Sequence, residues 1–206
     1  TKQYGTGSQA SNAMPLFAGL VNPQDKQSVL DNLVKDIEEK GYRLSTGDVG
    51  NRYLFQALAR NGLNEVMYKM HNHNEVPGYG FQLQFGATTL TELWDPRKGA
   101  SWNHFMMGQI EEWFYRSLAG IDVEENTYTG FKNFKIAPQV VGDLTYVNAS
   151  YNTLYGTIKV DWKVDNGQFE MDIEVPINCE AKVYLPQETN YTAVKSGKYS
   201  FKKRLQ

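Results

Sequence analysis

Thr157-Ile158-Lys159-Val160-Asp161-Trp162-Lys163-Val164 is followed by Asp165-Asn166-Gly167 and then by Gln168-Phe169-Glu170-Met171-Asp172-Ile173-Glu174-Val175. Apolar and polar residues alternate on both sides of the central Asn-Gly, the two-residue period of a strand with one buried face. Asn and Gly both accept positive φ, so the stretch reads as a β-hairpin. Ile158, Val160, Trp162, Phe169, Met171, Ile173 and Val175 should then point inward, and a register slip of one residue would expose all of them. Further strands are expected at residues 131–137, 144–151, 181–185 and 198–202, completing a small antiparallel β-sandwich.

Upstream of residue 121 the apolar period changes from two to three and four. Within residues 22–40, Val29, Leu30, Leu33, Val34 and Ile37 form one helical stripe, with Asn22 as N-cap, Pro23 at the first helical position and Gly41 as the stop. Residues 49–60 repeat the pattern through Tyr53, Leu54, Ala57 and Leu58, and Asn61-Gly62 closes it before a shorter helix over 64–71. A further helix is predicted over 102–119, ended by Gly120, with Phe105, Met106, Ile110, Trp113, Phe114 and Leu118 available to face inward. Residues 8–19 also read as helical, with Pro15 either in the first turns or at a kink. The order predicts an α+β chain: antiparallel helical hairpins over 1–121 and a β-sandwich over 122–206, with the boundary near 121–126.

Composition narrows the function classes. The 206 residues are 41% apolar and 13% aromatic, enough for a sizeable core. A formal net charge of −2, spread evenly over both parts, offers no basic face for nucleic acid or anionic lipid. Cys179 is the sole cysteine, which rules out an internal disulfide. No run approaches the roughly 18 apolar residues of a membrane span, and the first residues have neither the basic nor the apolar region of a signal peptide. The sequence starts without Met and is expected to be an internal piece or a processed product.

The chemistry concentrates in Gly86-Ala87-Thr88-Thr89-Leu90-Thr91-Glu92-Leu93-Trp94-Asp95 and in Ser101-Trp102-Asn103-His104-Phe105. A carboxylate among threonines and a tryptophan, followed by a histidine across a short Pro/Gly loop, supplies a base, an aromatic wall and a polar anchor for a sugar. Each residue also has a plainer role. Glu92 could complete a capping box on Thr89, His104 could be a hydrogen-bonded rim histidine, Trp94 and Tyr79 could be core aromatics, and Asp95 could pair with Arg97. His71, His73 and Glu75 lack the spacing of a metal site and read as a solvated loop, so no metal is predicted.

These segments, together with Ser8-Gln9-Ala10-Ser11-Asn12-Ala13-Met14, the run from Leu44-Ser45-Thr46-Gly47-Asp48 to Asn51-Arg52-Tyr53-Leu54, Pro77-Gly78-Tyr79-Gly80-Phe81 and Trp113-Phe114-Tyr115-Arg116, resemble bacterial α-L-rhamnosidases of glycoside hydrolase family 78. The resemblance covers nearly the whole chain. It implies that residues 1–121 are the last hairpins of an (α/α)6 toroid, leaving an apolar surface where further hairpins would complete the ring, and that the remainder is the family's C-terminal β-sandwich. It also implies inverting hydrolysis of terminal α-L-rhamnosyl groups without a cofactor. Glu92 would be the general base, His104 a ligand to sugar hydroxyls, and Trp94, Tyr79 and Asp95 further substrate contacts. The general acid would lie upstream of this chain, so that the chain alone should be inactive. Tyr79 stands where the family often has Trp, and the loop over 95–103 is shorter than in members with an insertion there, which leaves the aglycone open.

The partners so implied are a rhamnose-containing oligosaccharide, polysaccharide or glycoside and the missing N-terminal part of the same protein. Neither nucleic acid nor a membrane span is expected. The compartment is left open, with the periplasm or cell exterior favoured for the full-length protein. Two alternatives stand beside this one: another carbohydrate enzyme on the same toroid, because fold does not fix substrate, and a noncatalytic carbohydrate-binding or scaffolding module should the chain be complete. Further upstream hairpins carrying an acidic loop would separate both enzymes from the module.

Overall fold

The computed structural model describes residues 2–124 and 130–206, which form two compact units, Thr1–Glu111 and Glu112–Gln206. The expected boundary at 121–126 runs partly into residues outside the described set.

The first unit is helical. Helix α1 (Gln9–Phe17) starts at Ser8, whose hydroxyl accepts the Ser11 N–H at 3.2 Å, the usual N-cap exchange. Pro15 lies in its second half and not in the first turns. The helix ends two residues later, so the donor that proline lacks falls near a terminus. A 3₁₀ turn (Pro23–Asp25) leads into α2 (Lys26–Glu39), which buries Val29, Leu30, Leu33 and Ile37. Gly41, at φ 62°, ends it as the Tyr42 N–H reaches back to the Ile37 carbonyl at 2.8 Å. Helices α3 (Asp48–Arg60) and α4 (Asn64–His71) follow, and α1 packs on both α2 and α3. At Gly50 an added Cβ would stand 3.0 Å from the Ala10 methyl, the mark of a close α1–α3 approach. The short α5 (Tyr79–Leu83) completes this part. Among the exposed apolar residues of the unit are Leu20, Val49, Leu83 and Phe105.

The single long helix expected over 102–119 is absent. The chain instead forms a 3₁₀ turn (Phe105–Met107), a short α6 (Ile110–Trp113) and a π-turn (Phe114–Leu118) closed by the Ala119 N–H to the Phe114 carbonyl at 2.9 Å. Pairing with residues 90–92 explains the late start. The Ser101 carbonyl takes the Glu92 N–H and the Leu90 carbonyl takes the His104 N–H, both at 2.9 Å, so residues 101–104 run beside 90–92 and helical turns start only at Phe105. Ile110, Trp113 and Leu118 are buried as expected, whereas Phe105 is 84% exposed and Phe114 43%.

The second unit is a curled sheet of six strands. They are β1 (Ile121–Val123), β2 (Asn133–Ile136), β3 (Tyr146–Thr153), β4 (Gly156–Asp165), β5 (Gln168–Val183) and β6 (Thr192–Arg204). The hydrogen-bonded order is β1-β2-β5-β4-β3, with β6 on the other edge of β5. The hairpin expected from the alternation is present: Asn166 and Gly167 have φ 48° and 74°, and Trp162 faces Met171 across the β4–β5 pair. All seven residues expected to face inward are buried. Two details differ from the sequence expectation. Residues 181–185 begin inside β5, which continues past a register shift between Val175 and Glu180, and β2 runs parallel to β5. That shift lets β5 pair with β4 along its first half and with β2 along its second, which curls the sheet around a core of Phe134, Ile136, Cys179, Ala181 and Val183.

Gly120 marks the entry to β1, at φ 78°, where a Cβ would overlap the backbone of Ala137 and Pro138 at 2.3–2.6 Å. The opposite sheet face is charged, with Glu174 between Lys159 and Lys198 and Glu170 between Lys163 and Lys202. The lysines hold the Glu170 carboxyl below its usual range. No helix among the described residues is long and apolar enough to cross a membrane.

Candidate active site

The same pairing joins the two segments in which site residues are expected. Residues 90–92 and 101–104 lie side by side, tied by the two backbone bonds above and by the Thr89 hydroxyl to the Trp102 carbonyl. No helix begins at Thr89, so the capping-box role for Glu92 falls away. Glu92 is exposed, and its Oε2 accepts the Ser101 N–H at 3.2 Å, which orients the carboxylate. His104 is half-buried, and its ring stacks on Phe105 with 15° between the planes. Its Nδ1 is buried and meets no hydrogen-bond partner among the described residues, so Nε2 is the nitrogen left to meet a ligand.

The other expected site residues sit differently. Asp95 accepts the Arg97 backbone N–H at 3.2 Å and two guanidinium N–H groups at 2.8 and 2.9 Å, and the Arg97 hydrogen bonds lower its pKa. Its carboxylate is already occupied. Trp94 is buried and donates its indole N–H to the Thr46 carbonyl at 2.6 Å. Tyr79 meets Trp94 edge-on at 5.0 Å and donates its hydroxyl to the Met107 carbonyl. Burial raises the Tyr79 pKa, keeping the phenol protonated. Hydrogen bonds to the Thr46 and Met107 carbonyls therefore support both rings from the interior of the unit.

That support continues into polar groups that the sequence reading did not single out. Asn51, fully buried on α3, accepts the Thr46 hydroxyl at 3.1 Å and donates to the Gln109 side chain at 3.1 Å. Gln109 in turn donates to the Asp48 carbonyl at 3.0 Å. A signal was available: Asn51 shares a helix face with Leu54, Phe55 and Leu58, and a polar residue on an apolar stripe needs a buried partner. Among the described residues no group of three His, Cys, Asp or Glu is placed to hold a metal ion.

Residues 1–118 match the family described as the bacterial alpha-L-rhamnosidase 6 hairpin glycosidase domain, and residues 120–200 match the bacterial alpha-L-rhamnosidase C-terminal domain. The chain belongs to the bacterial α-L-rhamnosidase family. An alpha-L-rhamnosidase of Formosa agariphila is 32% identical over 197 residues, which is 93% of this chain and 21% of that protein. Among solved structures, the alpha-L-rhamnosidase of Dictyoglumus thermophilum superposes with a TM-score of 0.87 at 35% identity, over 95% of this chain and 25% of that one. The Streptomyces avermitilis alpha-L-rhamnosidase, solved with L-rhamnose, gives 0.88 at 26% identity, over 98% and 22%. The chain thus spans about a fifth of the length of its curated relatives.

In this α-L-rhamnosidase family member the histidine pair is not the solvated loop expected from sequence. His71 ends α4 between Phe55 and Tyr79, at 4.9 and 5.3 Å between ring centroids. Burial, with a smaller contribution from the charge of His73, lowers its pKa to about 3. The unfolded chain binds this proton at the ordinary value of 6.5, so the stabilisation is complete above that pH and is lost as pH falls from 6.5 toward 3. The expected slope is about 1.4 kcal/mol per pH unit at most. Thermal unfolding of the helical unit between pH 7 and 5, where carboxylates stay ionised, should reveal it, and His71→Phe should flatten the profile.

Proposed function

We propose that the intact protein bearing this chain is an inverting α-L-rhamnosidase in which Glu92 is the general base. The carrying observation is the pairing of residues 90–92 with 101–104, which brings the segment of an exposed, singly anchored carboxylate alongside that of a histidine whose Nδ1 is buried. Asp95, the nearest competing carboxylate in sequence, is saturated by Arg97. Inverting hydrolysis requires a base and an acid about 6.5–9.5 Å apart, with room for water between base and sugar. On this reading Glu92 takes a proton from that water as it attacks the anomeric carbon, and a carboxylic acid upstream of this chain protonates the departing glycosidic oxygen. His104 binds a sugar hydroxyl, while Tyr79, Trp94 and Asp95 shape the floor and rim. The substrate is a terminal α-L-rhamnosyl group on an oligosaccharide, polysaccharide or glycoside. We assign residues 1–121 to the catalytic toroid and 122–206 to the C-terminal β-domain.

The test is the configuration of the first-formed sugar, read by proton NMR before mutarotation: β-L-rhamnose is expected, and α-L-rhamnose would overturn inversion. In the same assay His104→Ala should raise KM at least tenfold with a smaller change in kcat, because it removes a contact held in both ground and transition states. An unchanged KM would remove His104 from the site.

A further inference from the structure

We propose that Asn51, which itself touches no substrate, is a positioning residue that fixes where Glu92 is held, through a relay of hydrogen bonds. The inference rests on Glu92 being the base. Asn51 is 0% exposed and uses both ends of its amide. Its oxygen takes the Thr46 hydroxyl at 3.1 Å, and the Thr46 carbonyl takes the Trp94 indole N–H at 2.6 Å, two residues beyond Glu92. The Asn51 nitrogen reaches Gln109 at 3.1 Å and the Tyr79 hydroxyl at 3.5 Å, and that hydroxyl binds the Met107 carbonyl, three residues beyond His104. One amide thus fastens both halves of the Glu92–His104 surface to α3. Local backbone bonds hold those halves to each other. The Asn51 relay instead sets the height and tilt of the pair above the helix, and hence the distance from the Glu92 carboxylate to the attacked carbon. A buried network of this kind supports a single geometry only while every member is satisfied, and displacement of about 1 Å suffices to cost a large factor in rate.

The experiment uses the intact protein with an aryl α-L-rhamnoside and three variants, Asn51→Leu, Gln109→Met and their combination. Each single change is expected to lower kcat tenfold or more with KM moving less than threefold. The double variant should be no slower than the slower single, because both break one relay. Azide, a nucleophile that needs no deprotonation, should accelerate the variants by a larger factor than it accelerates the parent, as expected when the base is displaced and the acid is not. Gln109 is only partly buried, so Gln109→Met carries the test if Asn51→Leu does not fold. Parental kcat in Gln109→Met, multiplying losses in the double variant, or no preferential azide response would each overturn the positioning role. Failure of the base assignment has a separate signature, near-parental activity in Glu92→Gln.

Discussion

Glu92→Gln in the intact protein is expected to lower kcat toward an aryl α-L-rhamnoside by about 10² to 10⁴, equivalent to roughly 3–5 kcal/mol of transition-state stabilisation. The amide keeps the side chain's shape, and its oxygen can still accept the Ser101 N–H that now meets Oε2. What it cannot do is take a proton from water. Rhamnose affinity, measured by equilibrium binding, should therefore persist while turnover falls. Azide should restore turnover by attacking the anomeric carbon directly and should yield the β-configured glycosyl azide. Near-parental activity would remove Glu92 from the role. A rescued product of α configuration would refute inversion even with Glu92 essential.

The same carboxylate shows how far the sequence could be read. The sequence showed Glu92 and His104 on segments close along the chain, but nothing in the local pattern indicated that residues 90–92 and 101–104 would pair through their backbones. Residues 102–119 carry large apolar side chains at helical spacing, and that spacing is a side-chain property. Pairing of the Ser101 carbonyl and the His104 N–H with Glu92 and Leu90 holds 101–104 outside any helix, so helical turns start only at Phe105. Helices α2, α3 and α4 had no such competitor, and their apolar stripes and stop residues mark them within a few residues, whereas Asn22, expected as an N-cap, makes no side-chain capping bond and precedes a 3₁₀ turn.

In the second unit the alternation over β4 and β5 fixed which side chains face the core. Alternation says nothing about which strand lies next to which, so the parallel β2–β5 pair and the length of β5 stayed hidden. For the aromatic site residues the difficulty is chemical ambiguity. A Trp or Tyr is equally suited to line a sugar site or to support one, and the acceptors that tie Trp94 and Tyr79 into the interior, the Thr46 and Met107 carbonyls, lie 48 and 28 residues away.

The second large effect concerns the β-domain. Trp162 is 2% exposed, sits 5.7 Å from Phe169 between ring centroids, and donates its indole N–H to the Leu118 carbonyl at 2.8 Å. Trp162→Ala removes the ring, leaves a cavity beneath β4 and strips the π-turn's last carbonyl of its donor. Large-to-small changes of this kind cost about 3–5 kcal/mol, and the orphaned carbonyl adds about 1–3 kcal/mol unless water reaches it. Trp162→Phe keeps most of the apolar contact and loses the hydrogen bond, so it should cost about half as much or less. Because the intact protein is expected to unfold in several steps, the measurement is local: amide hydrogen exchange along β4 and β5. An acceleration of roughly a hundredfold or more is expected for Trp162→Ala, with a clearly smaller one for Trp162→Phe. Equal acceleration in the two variants would place the stabilisation in the hydrogen bond to Leu118 and not in core filling. Unchanged exchange in both would mean that the sheet is held without this residue, contrary to its position at the centre of the buried face.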